Sequence, residues 1–199
     1  MAGPRTLLDL AGALRDPPRL ADAALVVIDA QGEYGTAGKL PLDGMAASLV
    51  ALSGLLARAR ETGATVIHVA HRGKAGGLFD RAAAGGAFLP EATPLAGEAV
   101  VEKGLPNAFA GTELQSLLAT AGRPDLVIAG YMTHMCVSAT VRAALDLGHR
   151  VTVAGDAVAT RALPDPMGGA AIAGSEVSRI ALAELADRFA MVVPAAALT

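Results

Sequence analysis

The sequence predicts an α/β domain, a three-layer α/β/α sandwich on a mainly parallel, doubly wound (Rossmann-like) sheet of about six strands. Three observations carry this. Short apolar runs without charge recur along the chain and read as strands buried on both faces. Segments with apolar residues at helical spacing separate them, an alternation that calls for parallel strands joined by crossover helices. Hydrophobic residues make up 53% of the 199 residues and mean hydropathy is +0.46. That is enough apolar surface for one sizeable core, and disorder is excluded.

Taken in order, residues 1–22 form an N-terminal helical extension: a helix near Thr6–Leu14, then the breaker Pro17-Pro18. Its apolar pattern contains Asp9, Arg15 and Asp16, which makes it a short amphipathic helix rather than a signal peptide. It is expected to pack on the domain or on another subunit. Leu25–Ile28 is the first strand and ends at Asp29; Ala30–Leu42 is a Gly-containing loop. Asp43 can cap a helix whose Met45, Leu49, Leu52 and Leu56 share one face, with Gly63 as its stop. Thr65–Ala70 is the second strand. His71–Glu98 is a Gly/Pro-rich connection of the length that often makes a lid or binding loop. Ala99–Glu102 is the third strand, ending at Lys103. Thr112 and Gln115 have capping-box spacing ahead of a helix to about Ala121.

Leu126–Ala129 is the fourth strand. Gly130 punctuates it, and Thr133 reads as an N-cap with His134, Met135 and Cys136 in the first helical turn. Arg150–Ala154 is the fifth strand, leading into GDAVATRAL. A loop with Pro164 and Pro166 precedes a helix carrying Val177, Ile180, Ala181 and Leu185, and Met191–Val193 is the last strand. No repeat accompanies the alternation, so residues 1–199 read as a single domain.

The bulk chemistry narrows the function. Net charge is −3, no Lys/Arg cluster appears, and no aromatics alternate with basic residues, which argues against nucleic acid as a partner. Asp, Arg, Gly or Pro interrupts every apolar run before membrane-spanning length, so no membrane partner is expected either. The single cysteine forbids an internal disulfide. The cytoplasm is the default location. There is no GxGxxG or Walker A pattern to hold a nucleotide.

Ligands of open parallel sheets bind at the carboxyl ends of the strands. There the first strand delivers Asp29, the second His68 and His71, the third Lys103, and the fourth the turn with Cys136. An acid, a base and a thiol thus reach one rim from separate parts of the chain. A thiol at a helix start, beside a cation, is expected to have a lowered pKa and a raised thiolate fraction.

These residues sit in motifs that resemble the isochorismatase-like superfamily, in its cysteine hydrolase branch of amidase type. VVIDAQGEY is similar to the first-strand motif with the catalytic Asp. VVEKGLPNAFAGTEL is similar to the Lys motif, and AGYMTHMCVSATVRAALDLGHRVTVAGDAVATR to the nucleophile motif and following strand. The likeness covers nearly the whole chain after the extension. It implies a triad with Asp29 as general base and acid, Lys103 as the cation beside it and Cys136 as the nucleophile. It implies a cis peptide at Tyr131-Met132, and an oxyanion hole from the backbone amides of Met132 and Cys136. It implies a homodimer or homotetramer that cleaves a C–N bond of a small amide, imide or ureido substrate through a Cys thioester.

Pocket residues follow on the same basis. Gln31 and Tyr34 follow Asp29 closely, Phe109 follows Lys103 where family members often place an aromatic, and Tyr131, Thr133 and His134 flank the turn. His71 joins them, and His134 either touches substrate or faces solvent. His68 reads as buried structure, His149 as surface, and Asp156 and Arg161 as supporting rather than catalytic. Nicotinamidases in the superfamily carry an Asp-x-His pair for a metal; His71 and Asp80 do not match that spacing, so neither metal nor cofactor is expected. True isochorismatases have no Cys at the nucleophile position and cleave a vinyl ether. Two alternatives stay open: a vinyl-ether hydrolase using Asp29 without a covalent intermediate, and a non-catalytic binding or redox-sensing homologue.

Overall fold

The computed structural model describes residues 3–13 and 16–199. Its strands are β1 (Ala23–Ile28), β2 (Thr65–His71), β3 (Ala99–Lys103), β4 (Asp125–Tyr131), β5 (Arg150–Ala159) and β6 (Met191–Val193). They form one sheet in the order β3-β2-β1-β4-β5-β6, and every neighbouring pair is parallel. The helices are α1 (Leu7–Leu10), α2 (Met45–Glu61), α3 (Leu114–Ala121), α4 (Ser138–Asp146) and α5 (Gly174–Arg188). The chain builds outward from β1 to β3, then returns to the other side of β1. The strand order therefore reverses between β1 and β4.

Both faces of the sheet are covered, which is why the strands read as continuous apolar runs. In β1, Leu25 and Val27 pack in a core with Leu52, Leu55, Leu56 and Ala59 of α2, while Ala24, Val26 and Ile28 pack with α3, α4 and α5. In β4, Val127, Ala129 and Tyr131 join the α2 side, and Leu126 and Ile128 the other. Burying each such leucine contributes about 2 kcal/mol. The buried stripe of α2 is turned toward Leu55 and Ala59, leaving Met45 and Leu49 of the expected stripe only partly buried.

The helix starts differ from the sequence reading. Asp43 does not cap α2, whose N-cap is Gly44 without a side-chain bond. Its Oδ2 instead accepts from the Gly174 N–H at 2.9 Å, satisfying the first turn of α5. Thr112 and Gln115 make no capping box: Thr112 Oγ1 accepts from the Leu114 N–H at 3.2 Å, and Gln115 is drawn away to His149. β5 runs to Ala159, past the expected Ala154, because the β4–β5 register shifts between Ile128 and Gly130 and pairing resumes. The extension forms α1, with a Thr6–Asp9 capping box and the Leu7 N–H bound to Asp187 Oδ1 of α5 at 2.9 Å. The expected end of that helix, Leu14, and Arg15 lie outside the described residues. Among the described residues, no helix is long and apolar enough to cross a membrane.

Candidate active site

The reversal point puts the ends of β1 and β4 side by side. Asp29 directly follows β1, His71 ends β2, Lys103 ends β3, and Cys136 lies in the turn after β4. His71 and Lys103 are register partners across β2 and β3. Asp29 has a positive φ of 48°, uncommon for any residue with a side chain. It is held there by its N–H bond to Val69 O and by the Gln31 N–H bond to its own carbonyl. Opposite it, Gly130 has φ 111°, and a Cβ there would stand 2.0 Å from the Ile28 carbonyl oxygen. Only glycine lets β4 approach β1 so closely beside the site. The Tyr131–Met132 peptide is cis.

Lys103 is the hub. Its side chain is buried, and Nζ lies 2.7 Å from Asp29 Oδ2, 3.2 Å from Cys136 Sγ and 3.3 Å from His71 Nδ1. An ammonium has three N–H donors, and three acceptors stand around this one. Asp29 is fully buried, and the Cys136 thiol as well as Lys103 hydrogen-bonds its carboxylate. A thiol that already donates to a carboxylate has a direct route for its proton.

The electrostatics correct the expectation for the thiol. Burial pushes the Cys136 thiol up to about 12, and the Asp29 charge adds to this against the pull of Lys103. Burial also raises the Asp29 carboxyl, outweighing the attraction of Lys103. One buried cation therefore supports one anion, and a second is opposed by both desolvation and repulsion. The resting pair is a thiol beside a carboxylate of raised basicity rather than a standing thiolate. The helix start does not reverse this, because Cys136 is only 5% exposed and Asp29 faces it.

The turn itself is a short π-helix, Thr133–Val137, ahead of α4. The Met132 carbonyl accepts the N–H groups of Met135 at 3.0 Å and Val137 at 3.2 Å, skipping that of Cys136. Such insertions recur at functional sites. Thr133 is not an N-cap: its hydroxyl bonds Ser178 of α5 at 2.9 Å, tying the turn to the neighbouring helix.

The Isochorismatase domain family matches residues 23–197. The chain belongs to the isochorismatase family. It is 41% identical over 181 residues to the secreted isochorismatase effector Isc1 of Verticillium dahliae, covering 89% of this chain and 92% of that one. It is 33% identical over 154 residues to maleamate amidohydrolase of Pseudomonas putida, covering 69% and 72%. A crystal structure of an isochorismatase from Pseudomonas putida KT2440 superposes with a TM-score of 0.93 at 42% identity, over 99% of this chain and 100% of that one. The protein is thus an isochorismatase-family hydrolase with the expected sandwich fold.

The remaining candidates divide around this isochorismatase-family site. Tyr34 is 2% exposed, packs edge-on against Phe79 and Tyr131, and its hydroxyl makes no hydrogen bond among the described residues. Burial and the charges of Asp29 and Cys136 push that hydroxyl's pKa up, so it stays a neutral donor. Tyr131 is fully buried with its hydroxyl on Ser48 at 3.2 Å, so it supports the wall. His134 is half-buried with Nδ1 on Thr160 Oγ1 at 2.6 Å, and burial with the Arg161 charge lowers its pKa.

Two expected pocket residues are used elsewhere. Gln31 is fully buried, and its amide bonds the His71 N–H, the His71 carbonyl and the Gly86 carbonyl, leaving it a clamp on the loop. Phe109 stacks on His149 at 6.0 Å, at the amino end of β5 and away from the rim. His149 itself is buried and bonded to Gln115 at 2.9 Å, not a surface residue. His68 is buried on Glu98, as read. Asp156 Oδ1 accepts from the Ala195 N–H and serves the chain end.

The residue sequence reasoning undervalued is Arg161. It has no carboxylate partner among the described residues, its buried Nε is unpaired, and its charge acts on both Tyr34 and His134. Its place two residues beyond β5 was the available signal. Among the described residues, no group of three or more His, Cys, Asp or Glu side chains could hold a metal ion.

Proposed function

We propose that this hydrolase cleaves a C–N bond of a small amide, imide or ureido compound through a Cys136 thioester, with Asp29 and Lys103 completing the triad. The observation that carries this reading is Lys103 Nζ lying within 3.2 Å of both the Asp29 carboxylate and the Cys136 thiol. As Cys136 attacks the carbonyl carbon, its proton passes to Asp29. Lys103 remains beside the sulfur and balances the charge. The backbone amides of Met132 and Cys136 serve as the oxyanion hole, and one such donor is commonly worth about 3 kcal/mol. Asp29 then returns the proton to the departing nitrogen. Water enters, Asp29 takes its proton, and the acid leaves with the thiol restored.

Arg161, whose guanidinium has no carboxylate partner among the described residues, and the free Tyr34 hydroxyl favour a substrate that also carries a carboxylate. The relationship to a maleamate amidohydrolase supports the same class, since maleamate is the half-amide of a diacid. His134 would border that end of the pocket through Thr160. We place the enzyme in the cytoplasm because its one cysteine is a free thiol. We expect a homodimer or homotetramer because α1 exposes Leu7 and Leu10.

The test is a panel of half-amides, neutral amides and ureides read by ammonia release, with Cys136→Ala as control. Ammonia from half-amides, lost in Cys136→Ala, is the expected result. Pyruvate release from a vinyl-ether substrate, undiminished in Cys136→Ala, would replace this reading with isochorismatase-type chemistry.

A further inference from the structure

His71 stands at the site without a part in the bond-making steps. Its Nδ1 lies 3.3 Å from Lys103 Nζ, and only an unprotonated Nδ1 can accept from an ammonium. Its position is built in from two sides. The buried Gln31 amide grips both backbone groups of His71, at 2.8 Å to the N–H and 3.0 Å to the carbonyl. Phe79 backs the imidazole edge-on at 5.2 Å, and Phe79 is itself pinned by its N–H bond to the buried Glu33 carboxylate at 3.3 Å. The charges that act on the ring are Lys103 from β3 and Asp29 from the end of β1.

The other two acceptors of Lys103 change during turnover. When the thiol proton moves to Asp29, the carboxylate loses its charge, and the sulfur becomes bonded to carbon. His71 is the one acceptor whose chemistry stays constant. We propose that His71 is a positioning residue: as a neutral imidazole it holds Lys103 against Cys136 while Asp29 and Cys136 exchange their proton. This rests on Lys103 serving Cys136, and not on which bond the enzyme cleaves.

The test therefore reads the thiol directly. Cys136 is alkylated with iodoacetamide across pH in the wild type, in His71→Leu, which fills space without an acceptor, and in His71→Asn, whose amide oxygen can replace Nδ1. Removing the acceptor should let Lys103 drift from Sγ, raise the thiol pKa by about one unit and slow alkylation at fixed pH about tenfold. His71→Asn should stay within about threefold of the wild type. A merely structural role would open the site and speed alkylation, the opposite sign. Should His71→Leu not fold, Phe79→Leu keeps the imidazole but frees it, and should slow alkylation by a smaller factor. Alkylation at the wild-type rate in the variants without support, or equal losses in His71→Leu and His71→Asn, would overturn the proposal. Loss of amidase activity on every substrate with the alkylation pattern intact would instead count against the function proposed above.

Discussion

Glu98 and Asp29 are both carboxylates that meet a cation near a histidine of β2, at opposite ends of the sheet. Glu98 directly precedes β3 and Lys103 ends it. Glu98 accepts from Arg60 at 2.8 and 2.9 Å, from the Leu95 N–H at 2.8 Å and from His68 Nε2 at 2.8 Å. These donors hold its pKa down to about 2, with the Arg60 bond the largest cause. Asp29 has two donors, Lys103 and the Cys136 thiol, and burial raises its pKa. Like ingredients thus give a fully bonded joint at one end and a carboxyl of raised pKa at the other. The difference is donor count: a carboxylate whose lone pairs are all engaged cannot take a proton, and one left short of donors in a dry site is ready to.

The largest expected effect separates the two directly. Asp29→Asn should lower kcat/KM on the responding amide by about a thousandfold or more, because the transferable lone pair is gone. Glu98→Gln should leave kcat/KM within about threefold, since it touches no reacting atom. Equal losses from both would dissolve the distinction.

Stability should respond in the opposite pattern. At neutral pH, Glu98→Gln should cost about 1–2 kcal/mol in urea unfolding, after discounting for partial solvent exposure. The sign of its pH dependence follows from the depressed pKa. The folded state keeps Glu98 ionised down to about 2, while the unfolded chain protonates near the ordinary 4.5. The stabilisation is therefore complete above pH 4.5 and is lost as pH falls toward 2, so wild type and Glu98→Gln should converge over that window. A gap that stays constant to pH 2 would show that the carboxylate's charge is not what holds the joint.

The smallest effect tests a joint with no histidine or cation. Asp43→Ala should cost about 1 kcal/mol by removing the cap of α5, with no change in kcat. Urea unfolding beside a turnover assay reads both.

Much of this was legible in the chain itself. Strands such as Leu25–Ile28 and Leu126–Ala129 announce themselves because burial on both faces demands unbroken apolar runs. Asp29, Lys103 and Cys136 stand out as candidates because each lies at or shortly after the carboxyl end of a strand, in a motif of fixed spacing. The departures share a cause. Asp43 finds its partner 131 residues away in α5, and Thr133 is drawn to Ser178. Phe109 and His149 stack across elements that no local pattern connects.

What the sequence by itself determined, then, is which residues reach the rim, because strand periodicity and motif spacing are local properties. What only the tertiary structure decided is their ionisation and their neighbours. A thiol at a helix start looks acidic until its burial and the Asp29 charge are known. Gln31 looks like a pocket residue until His71 and Gly86 use up its amide. Both outcomes depend on the solvent excluded and the charges assembled by remote segments, and a linear sequence does not display either.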